Sequence, residues 1–137
     1  MLMAEFSTAV KYRLPVKIVI IKNNTLAQIK WEQMVMLGNP EYGCELEPID
    51  FVKFAEARGG AGFRIEDPKE CGEILSRALK HPGPVIVEAV TDPFEPPMPP
   101  KINSDQALKF AQSLARGEPD REKIVFTITG DKWWELI

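Results

Sequence analysis

The chain has few of the residues that build metal centres or disulfide frameworks. It contains a single histidine, His81, and two cysteines, Cys44 and Cys71, which do not share a CxxC spacing. One histidine excludes a histidine-based zinc site made within this chain. The two thiols are predicted to be reduced structural cysteines of a cytoplasmic protein, with a disulfide between them as the alternative.

Long apolar runs and an excess of basic charge are also missing. No apolar run reaches about 20 residues, the length of a membrane-spanning helix, and residues 1–5 do not form a signal peptide. The chain carries 17 Lys and Arg residues against 20 Asp and Glu residues, a net charge of -3. We therefore expect no nucleic-acid partner. Its 137 residues, 45% of them apolar, suffice for one modest domain with its own core.

Apolar periodicity predicts an α/β fold with a parallel sheet and helices on both faces. Residues 16–22 form a near-continuous β-branched run, typical of a strand covered on both faces. Residues 84–90 form a second strong strand, and a short one is expected near 63–65. Asp50 and Asp67 are the expected N-caps of two helices. The predicted helices cover 2–13, 26–36, 50–58, 68–80 and 104–116.

The run Gly59-Gly60-Ala61-Gly62 superficially resembles a phosphate-binding loop. It lacks the glycine spacing of such loops and precedes a strand rather than a helix. We interpret it as a bend that leads into the strand.

The character of the chain changes near residue 92, so we predict a first part over 1–92 and a second over 93–137. Residues 92–100 contain five prolines and are predicted to form an extended arm. Residues 122–128 have the pattern of a strand rather than of an amphipathic helix. The apolar tail with Trp133 and Trp134 is expected to pack on the core or on a partner, with binding at a membrane surface as the alternative.

The segment Lys22-Asn23-Asn24-Thr25 lies between the first predicted strand and the helix that follows it. Ligands of open parallel sheets bind beyond the carboxyl ends of strands, and helix N-termini attract anions. Amide and carbonyl oxygens suit Mg²⁺ or Ca²⁺ that bridges a phosphate. The alternative is that asparagine occurs here because it tolerates turn geometry.

Several segments resemble the thiamine-diphosphate-dependent enzymes of the pyruvate oxidase, quinone-linked pyruvate dehydrogenase and acetolactate synthase group. The similarity is to the second half of their diphosphate-binding domain and extends to about residue 115. It is carried by residues 1–6, 14–33, 51–56, 82–88 and 97–102 together with Gln106-Ala107. The resemblance implies a truncated parallel-sheet domain of this family, followed by an extended C-terminal arm and a helix.

The resemblance also implies a cofactor site in the 23–27 segment. In the family, Mg²⁺ is held against the diphosphate by an aspartate, an asparagine and one backbone carbonyl. Asn23 takes the asparagine position and Thr25 would offer its carbonyl, whereas Asn24 is less suited as a ligand. Leu26 and Ala27 fall where the backbone passes close to the diphosphate, although the family usually has glycine at position 27.

Two further residues match the helix that lines the substrate side of the cofactor in the oxidases. They are Gln28 and Glu32, and Glu32 would handle a proton or orient a substrate carboxylate. The alternative for Glu32 is an ordinary exposed glutamate on a helix. The implied substrate is a 2-oxo acid of the pyruvate type, and FAD would belong to a full-length parent enzyme.

The family's Gly-Asp-Gly motif, which supplies the metal-binding aspartate, would lie before Met1. We therefore expect the chain alone to bind thiamine diphosphate and Mg²⁺ weakly and to be inactive without upstream domains of the same enzyme, in a homo-oligomer. The alternative function is a non-catalytic module that self-associates or binds a membrane surface.

Overall fold

A computed structural model describes residues 3–95 and 103–132. Three strands, six α-helices and a short 3₁₀ turn over Pro68–Glu70 make up the regular structure of these residues. In chain order the elements are α1 (Glu5–Lys11), β1 (Lys17–Lys22), α2 (Ala27–Leu37), α3 (Phe51–Ala57), β2 (Ala61–Ile65), α4 (Cys71–Lys80), β3 (Val85–Val90), α5 (Ser104–Ala115) and α6 (Arg121–Lys132).

The chain divides into two compact units that interleave along the sequence. Unit 1 comprises Met1–Asn23 and Pro48–Thr91, and unit 2 comprises Asn24–Glu47 and Asp92–Ile137. One border between the units, at Asp92, lies beside the predicted division of the chain after residue 92. That division separates a cofactor-binding part from a C-terminal part, and it stays a prediction.

Unit 1 is built on a parallel sheet whose strand order is β1-β3-β2. One face packs on α4 through a cluster that contains Ala78 and Val87, and the other packs on α1 and α3 through Phe6 and Ala55. Helices therefore cover both faces of the sheet. The α/β prediction is confirmed for this unit.

The prediction that the first strand is covered on both faces is wrong. β1 lies at the edge of the sheet, and Val19 and Ile21 are 51% and 66% exposed. The buried central strand is β3, in which Val85 to Glu88 are all buried. The prediction failed because β1 and β3 have the same kind of apolar sequence. Apolar composition does not distinguish a central strand from an edge strand.

Local signals at helix starts agree with the structure. Asp50 Oδ1 accepts a hydrogen bond from the Lys53 N–H at 2.9 Å, and Asp67 Oδ1 accepts one from the Lys69 N–H at 2.9 Å. Both predicted N-caps are confirmed. The turn at Pro68 is 3₁₀, and the α-helix begins at Cys71.

The glycine-rich run leads into β2, as expected, and its glycines permit close packing. A Cβ at Gly62 would lie 2.7 Å from the Val52 backbone in α3. A Cβ at Gly60 would lie 2.5 Å from the Phe6 ring in α1. These short distances show that the two helices approach the β2 backbone where no side chain intervenes.

Unit 2 packs α2 against α5 and α6. Its buried cluster includes Trp31, Met34 and Ile124, and the Trp31 and Phe110 rings stack with centroids 5.8 Å apart. The helix predicted over 104–116 is confirmed as α5. It begins with a capping box in which the Asn103 and Gln106 side chains bond each other's backbone N–H groups.

The prediction of a strand over 122–128 is wrong, because these residues lie in α6. Ile124 in this helix is fully buried against α2. Burial of one helical face therefore outweighs the β-branched composition of the segment.

Two predictions concern residues outside the described ranges, namely residues 96–100 of the extended arm and the tail with Trp133 and Trp134. Within the described ranges, no helix is both long and apolar enough to cross a bilayer.

Candidate functional site

The carboxyl end of β1 carries the first residue of the predicted site. Lys22 ends the strand, its carbonyl accepts the Thr91 N–H at 3.0 Å, and its ammonium lies 3.1 Å from Glu88 Oε1. Asn23 follows directly and is half-buried. The structure thus places Asn23 immediately beyond the end of a parallel strand, as the sequence predicts.

In unit 2, residues 24–26 pair with residues 44–46 in a short antiparallel ladder. The Leu26 N–H donates to the Cys44 carbonyl at 2.8 Å, and the Leu46 N–H donates to the Asn24 carbonyl at 2.9 Å. Thr25 Oγ1 also donates to the Cys44 carbonyl at 3.2 Å. These bonds fix the backbone of the predicted cofactor segment against a second strand-like segment.

Within this ladder, Thr25 and Asn24 have different backbone roles. Thr25 is paired with Glu45, and the two main-chain bonds that flank this pair are made by Asn24 and Leu26. Asn24 is exposed and has a φ of 54°, a left-handed conformation that asparagine tolerates better than most residues. The turn reading therefore explains the presence of Asn24, while Asn23 and Thr25 stay predicted metal ligands.

The start of α2 resembles an anion-binding terminus. Leu26 occupies the N-cap position but offers no side-chain hydrogen bond, and the first turn, which starts at Ala27, has no acidic residue. The first N–H groups of a helix have no partner within it. An uncapped start therefore favours an anion, because the helix dipole is positive there.

Gln28 and Glu32 lie one turn apart on an exposed face of α2. Gln28 Nε2 donates to Glu32 Oε1 at 3.1 Å. The structure brings these two predicted residues together. Their catalytic role stays a prediction.

A buried carboxylate that was not predicted from the sequence lies in the centre of the sheet of unit 1. Glu88 is fully buried, and its Oε1 lies 3.1 Å from Lys22 Nζ and 2.9 Å from Arg64 Nε. Its Oε2 accepts the Phe51 N–H at 2.8 Å. Burial acts to raise the pKa of Glu88, but the Phe51 hydrogen bond and the two cations outweigh it and lower the pKa. A single glutamate within the apolar run of residues 85–90 is the sequence signal that could have predicted a buried carboxylate.

A second missed cluster lies in unit 2. Lys30 Nζ is 3.1 Å from Glu41 Oε2 and 3.7 Å from Glu118 Oε1, and all three side chains are largely buried. Burial raises the pKa of Glu118, opposed by the Glu41 N–H and by Lys30. Burial and the Glu41 carboxylate also raise the pKa of the Cys44 thiol, which makes this cysteine a poor nucleophile.

The predicted metal ligands offer uncharged oxygen donors. Asn23 and Thr25 supply neutral oxygens, which suit Mg²⁺. Across residues 3–95 and 103–132, no group of three or more His, Cys, Asp or Glu side chains is placed to hold a metal ion. Asn23 and Thr25 would therefore contribute only neutral oxygens to a magnesium site, and this role stays a prediction.

Comparisons with known proteins identify the family. Residues 1–89 match the family described as thiamine pyrophosphate enzyme, C-terminal TPP binding domain; thiamine pyrophosphate is another name for thiamine diphosphate. YdaP of Bacillus subtilis, named as a thiamine pyrophosphate-containing protein, is 35% identical over 123 residues, 90% of this chain and 21% of YdaP. The mitochondrial acetolactate synthase catalytic subunit of Saccharomyces cerevisiae is 32% identical over 88% of this chain and 18% of its own length.

A solved structure agrees on the fold. The thiamine diphosphate-dependent 4-hydroxybenzoylformate decarboxylase of Rhodococcus jostii RHA1 superposes with a TM-score of 0.61 at 24% identity, covering 66% of this chain and 17% of that protein. The chain spans about a fifth of the length of these relatives. It belongs to the thiamine-pyrophosphate-dependent enzymes and corresponds to their C-terminal cofactor-binding domain.

Proposed function

We propose that this chain supplies the asparagine half of a Mg²⁺–thiamine diphosphate site in an enzyme that acts on 2-oxo acids. The observation that carries the proposal is Asn23, which lies directly after a parallel strand inside the part of the chain that matches the cofactor-binding family. The strand end and the oxygen donors agree with general rules for phosphate-bound cations in parallel sheets.

Asn23 and Thr25 are the proposed Mg²⁺ ligands, through the amide oxygen and the backbone carbonyl. They are two positions apart, so their Cα atoms are separated by at most about 7 Å. The uncapped start of α2, with Leu26 and Ala27, would receive the diphosphate oxygens. Ala27 adds only a methyl group to the glycine that is usual at this position.

Thiamine diphosphate, when bound, supplies the nucleophilic carbon that attacks the keto group of the substrate. The proposed role of this chain is to hold the diphosphate end and to place polar groups beside the substrate. Glu32 would hold or transfer a proton, and Gln28, which bonds its carboxylate, would orient it.

The remaining groups are proposed to come from other polypeptide segments. Relatives that contain this domain are about five times longer, and the described residues hold no group of three or more His, Cys, Asp or Glu side chains placed to bind a metal ion. We propose that upstream domains of the same enzyme, in a homo-oligomer, provide the aspartate and, in an oxidase-type parent, FAD. The chain alone is then inactive.

The test compares the chain alone with a chimera in which it replaces the matching segment of YdaP. Calorimetric titration with thiamine diphosphate and Mg²⁺ should show little binding to the chain alone and saturable binding to the chimera. Asn23→Ala in the chimera should weaken binding at least about tenfold, which corresponds to roughly 1.4 kcal/mol. Ser76→Ala, which removes an exposed hydroxyl on α4, is the control and should bind as the parent does.

Either of two results would contradict the proposal. Tight binding by the chain alone would show that no outside carboxylate is needed. Equal affinities of the Asn23→Ala and Ser76→Ala chimeras would show that Asn23 is not a ligand.

A second candidate function is self-association through β1. Among the described residues β1 pairs on one side only, and Val19 and Ile21 are exposed. The Lys17 ammonium is held by the His81 and Gly83 carbonyls, so it does not guard the open edge as edge lysines often do. Open apolar edges favour pairing with another strand.

Light scattering on the eluting protein tests this candidate. Ile21→Lys should convert an oligomer of the isolated chain to a monomer, whereas Leu79→Lys, an equally exposed site on α4, should not. A wild-type chain that is monomeric at all concentrations would remove this candidate.

A further inference from the structure

The segment that pairs with residues 24–26 belongs to a loop over residues 38–46, which follows α2. At its far end this 38–46 loop forms the ladder with Asn24 and Leu26 described above. The position of the cofactor segment in unit 2 therefore depends on what holds this loop.

The start of the 38–46 loop is held by Arg116, the residue that ends α5. Arg116 Nη1 donates to the Gly38 carbonyl at 2.7 Å and to Asn39 Oδ1 at 3.0 Å. Gly38 ends α2 with a φ of 67°, and a Cβ there would lie 3.3 Å from the Lys109 carbonyl of α5. The helix end and the loop start are thus fixed from α5.

The middle of the loop is held by Glu118, two residues further along. Glu118 Oε2 accepts the Glu41 N–H at 2.7 Å, a short bond from a backbone donor to a buried carboxylate. Lys30 lies between the Glu41 and Glu118 carboxylates, and neither of the two oxygens that face it receives a well-aligned hydrogen bond. The ammonium therefore interacts with both mainly through charge.

The end of the loop is held from α2 itself. The Gln33 amide accepts the Tyr42 N–H at 2.7 Å and donates to the Tyr42 carbonyl at 3.1 Å. Cys44 follows two residues later, is buried, and its carbonyl receives both the Leu26 N–H and the Thr25 hydroxyl. A continuous set of bonds thus joins residue 118 to residue 26.

We propose that Arg116 and Glu118 are positioning residues that hold the backbone of Asn24–Leu26 in place through the 38–46 loop. Both lie beyond residue 89, outside the part that matches the cofactor-binding family. The segment after α5 would thereby help to shape the site without touching the cofactor. The link to cofactor binding rests on the proposed function; the mechanical coupling does not.

Amide hydrogen exchange on the isolated chain tests the coupling without any cofactor. In Glu118→Ala, the Leu26 and Leu46 amides should exchange about tenfold faster or more, since losing a hydrogen bond to a charged group loosens the local structure by that order. Arg116→Ala should act in the same direction. The Val85 and Thr91 amides of unit 1, bonded to Val16 and Lys22, should keep their wild-type rates.

Two variants separate positioning from general destabilisation of unit 2. Glu118→Gln keeps an acceptor for the Glu41 N–H, so Leu26 should stay within about threefold of wild type. Asp105→Ala removes an exposed ion pair with Lys109 on the same helix and should leave Leu26 unchanged.

The proposal fails if the Leu26 and Leu46 rates do not change in Glu118→Ala, if Glu118→Gln is as disruptive as Glu118→Ala, or if Asp105→Ala has the same effect. If Glu118→Ala does not fold, Arg116→Ala and Glu118→Gln still decide the question. Failure of cofactor binding in the chimera would leave this coupling intact, so the two proposals can fail separately.

Discussion

Glu88 accepts a hydrogen bond from the Phe51 N–H at 2.8 Å, so that a carboxylate in the central strand is bonded to the start of α3. The same side chain forms ion pairs with Lys22 at the end of β1 and with Arg64 in β2. One residue therefore joins all three strands and a helix of unit 1. Glu88 lies in β3, next to β1, and its partner Lys22 directly precedes Asn23.

Removing this carboxylate should destabilise unit 1 strongly. Glu88→Ala leaves Lys22 and the Phe51 N–H without their partner and leaves Arg64 with Asp50 alone, and we expect a loss of about 3 kcal/mol in the free energy of unfolding. Urea denaturation followed by circular dichroism measures this loss. Glu73→Ala, which removes an exposed pair with Arg77, should cost only a few tenths of a kcal/mol. Equal costs would contradict the assigned role.

Asp50 should make the fold sensitive to acid. The Lys53 N–H hydrogen bond and the Arg64 guanidinium lower the pKa of Asp50 from 3.8 to about 2. A lowered pKa contributes stability that is present above pH 3.8 and is lost as the pH falls towards 2. Asp50→Asn keeps an N-cap without the charge, so the stability advantage of wild type over this variant should shrink between pH 4 and pH 2. An advantage independent of pH would exclude the charge as its source.

Glu118 should give the opposite dependence. Its pKa is raised above 4.5, mainly by burial. A raised pKa contributes stability that is present below pH 4.5 and is lost as the pH rises through the folded-state value. Glu118→Gln cannot ionise, so its stability relative to wild type should improve from pH 4 to pH 7. Denaturation midpoints at both pH values measure this, and a relative stability that falls with pH would contradict the raised pKa.

Gly62 should not accept a side chain. Gly62→Ala places a Cβ 2.7 Å from the Val52 backbone in α3, and such overpacking costs about 1–3 kcal/mol. The matched control is Gly72→Ala in α4, where a Cβ meets nothing within 4 Å. That substitution should be neutral or stabilise by up to about 1 kcal/mol, because alanine favours helices. Thermal unfolding of both variants checks the difference, and equal melting temperatures would argue against close packing of α3 on β2.

Short-range chemistry explains which parts of the fold were predictable. Asp50 and Asp67 bond N–H groups two or three residues away, so their caps follow from local sequence. The strands β1 and β3 follow from β-branched runs. The Glu88–Lys22 and Glu118–Glu41 contacts join residues 66 and 77 positions apart, and no periodic pattern in the sequence predicts such contacts.

The sequence by itself determined the α/β class, the helix caps at Asp50 and Asp67 and the position of Asn23 after a strand, because these depend on interactions between neighbouring residues. Only the tertiary structure decided that β1 is an edge, that the 122–128 segment is helical and that Glu118 accepts a hydrogen bond from the Glu41 N–H. The physical reason is burial: Ile124, Glu88 and Glu118 are enclosed by residues distant in the chain. The free energy of burying side chains among distant residues outweighs local secondary-structure propensity. Apolar composition alone does not show which side chains will be buried in this way.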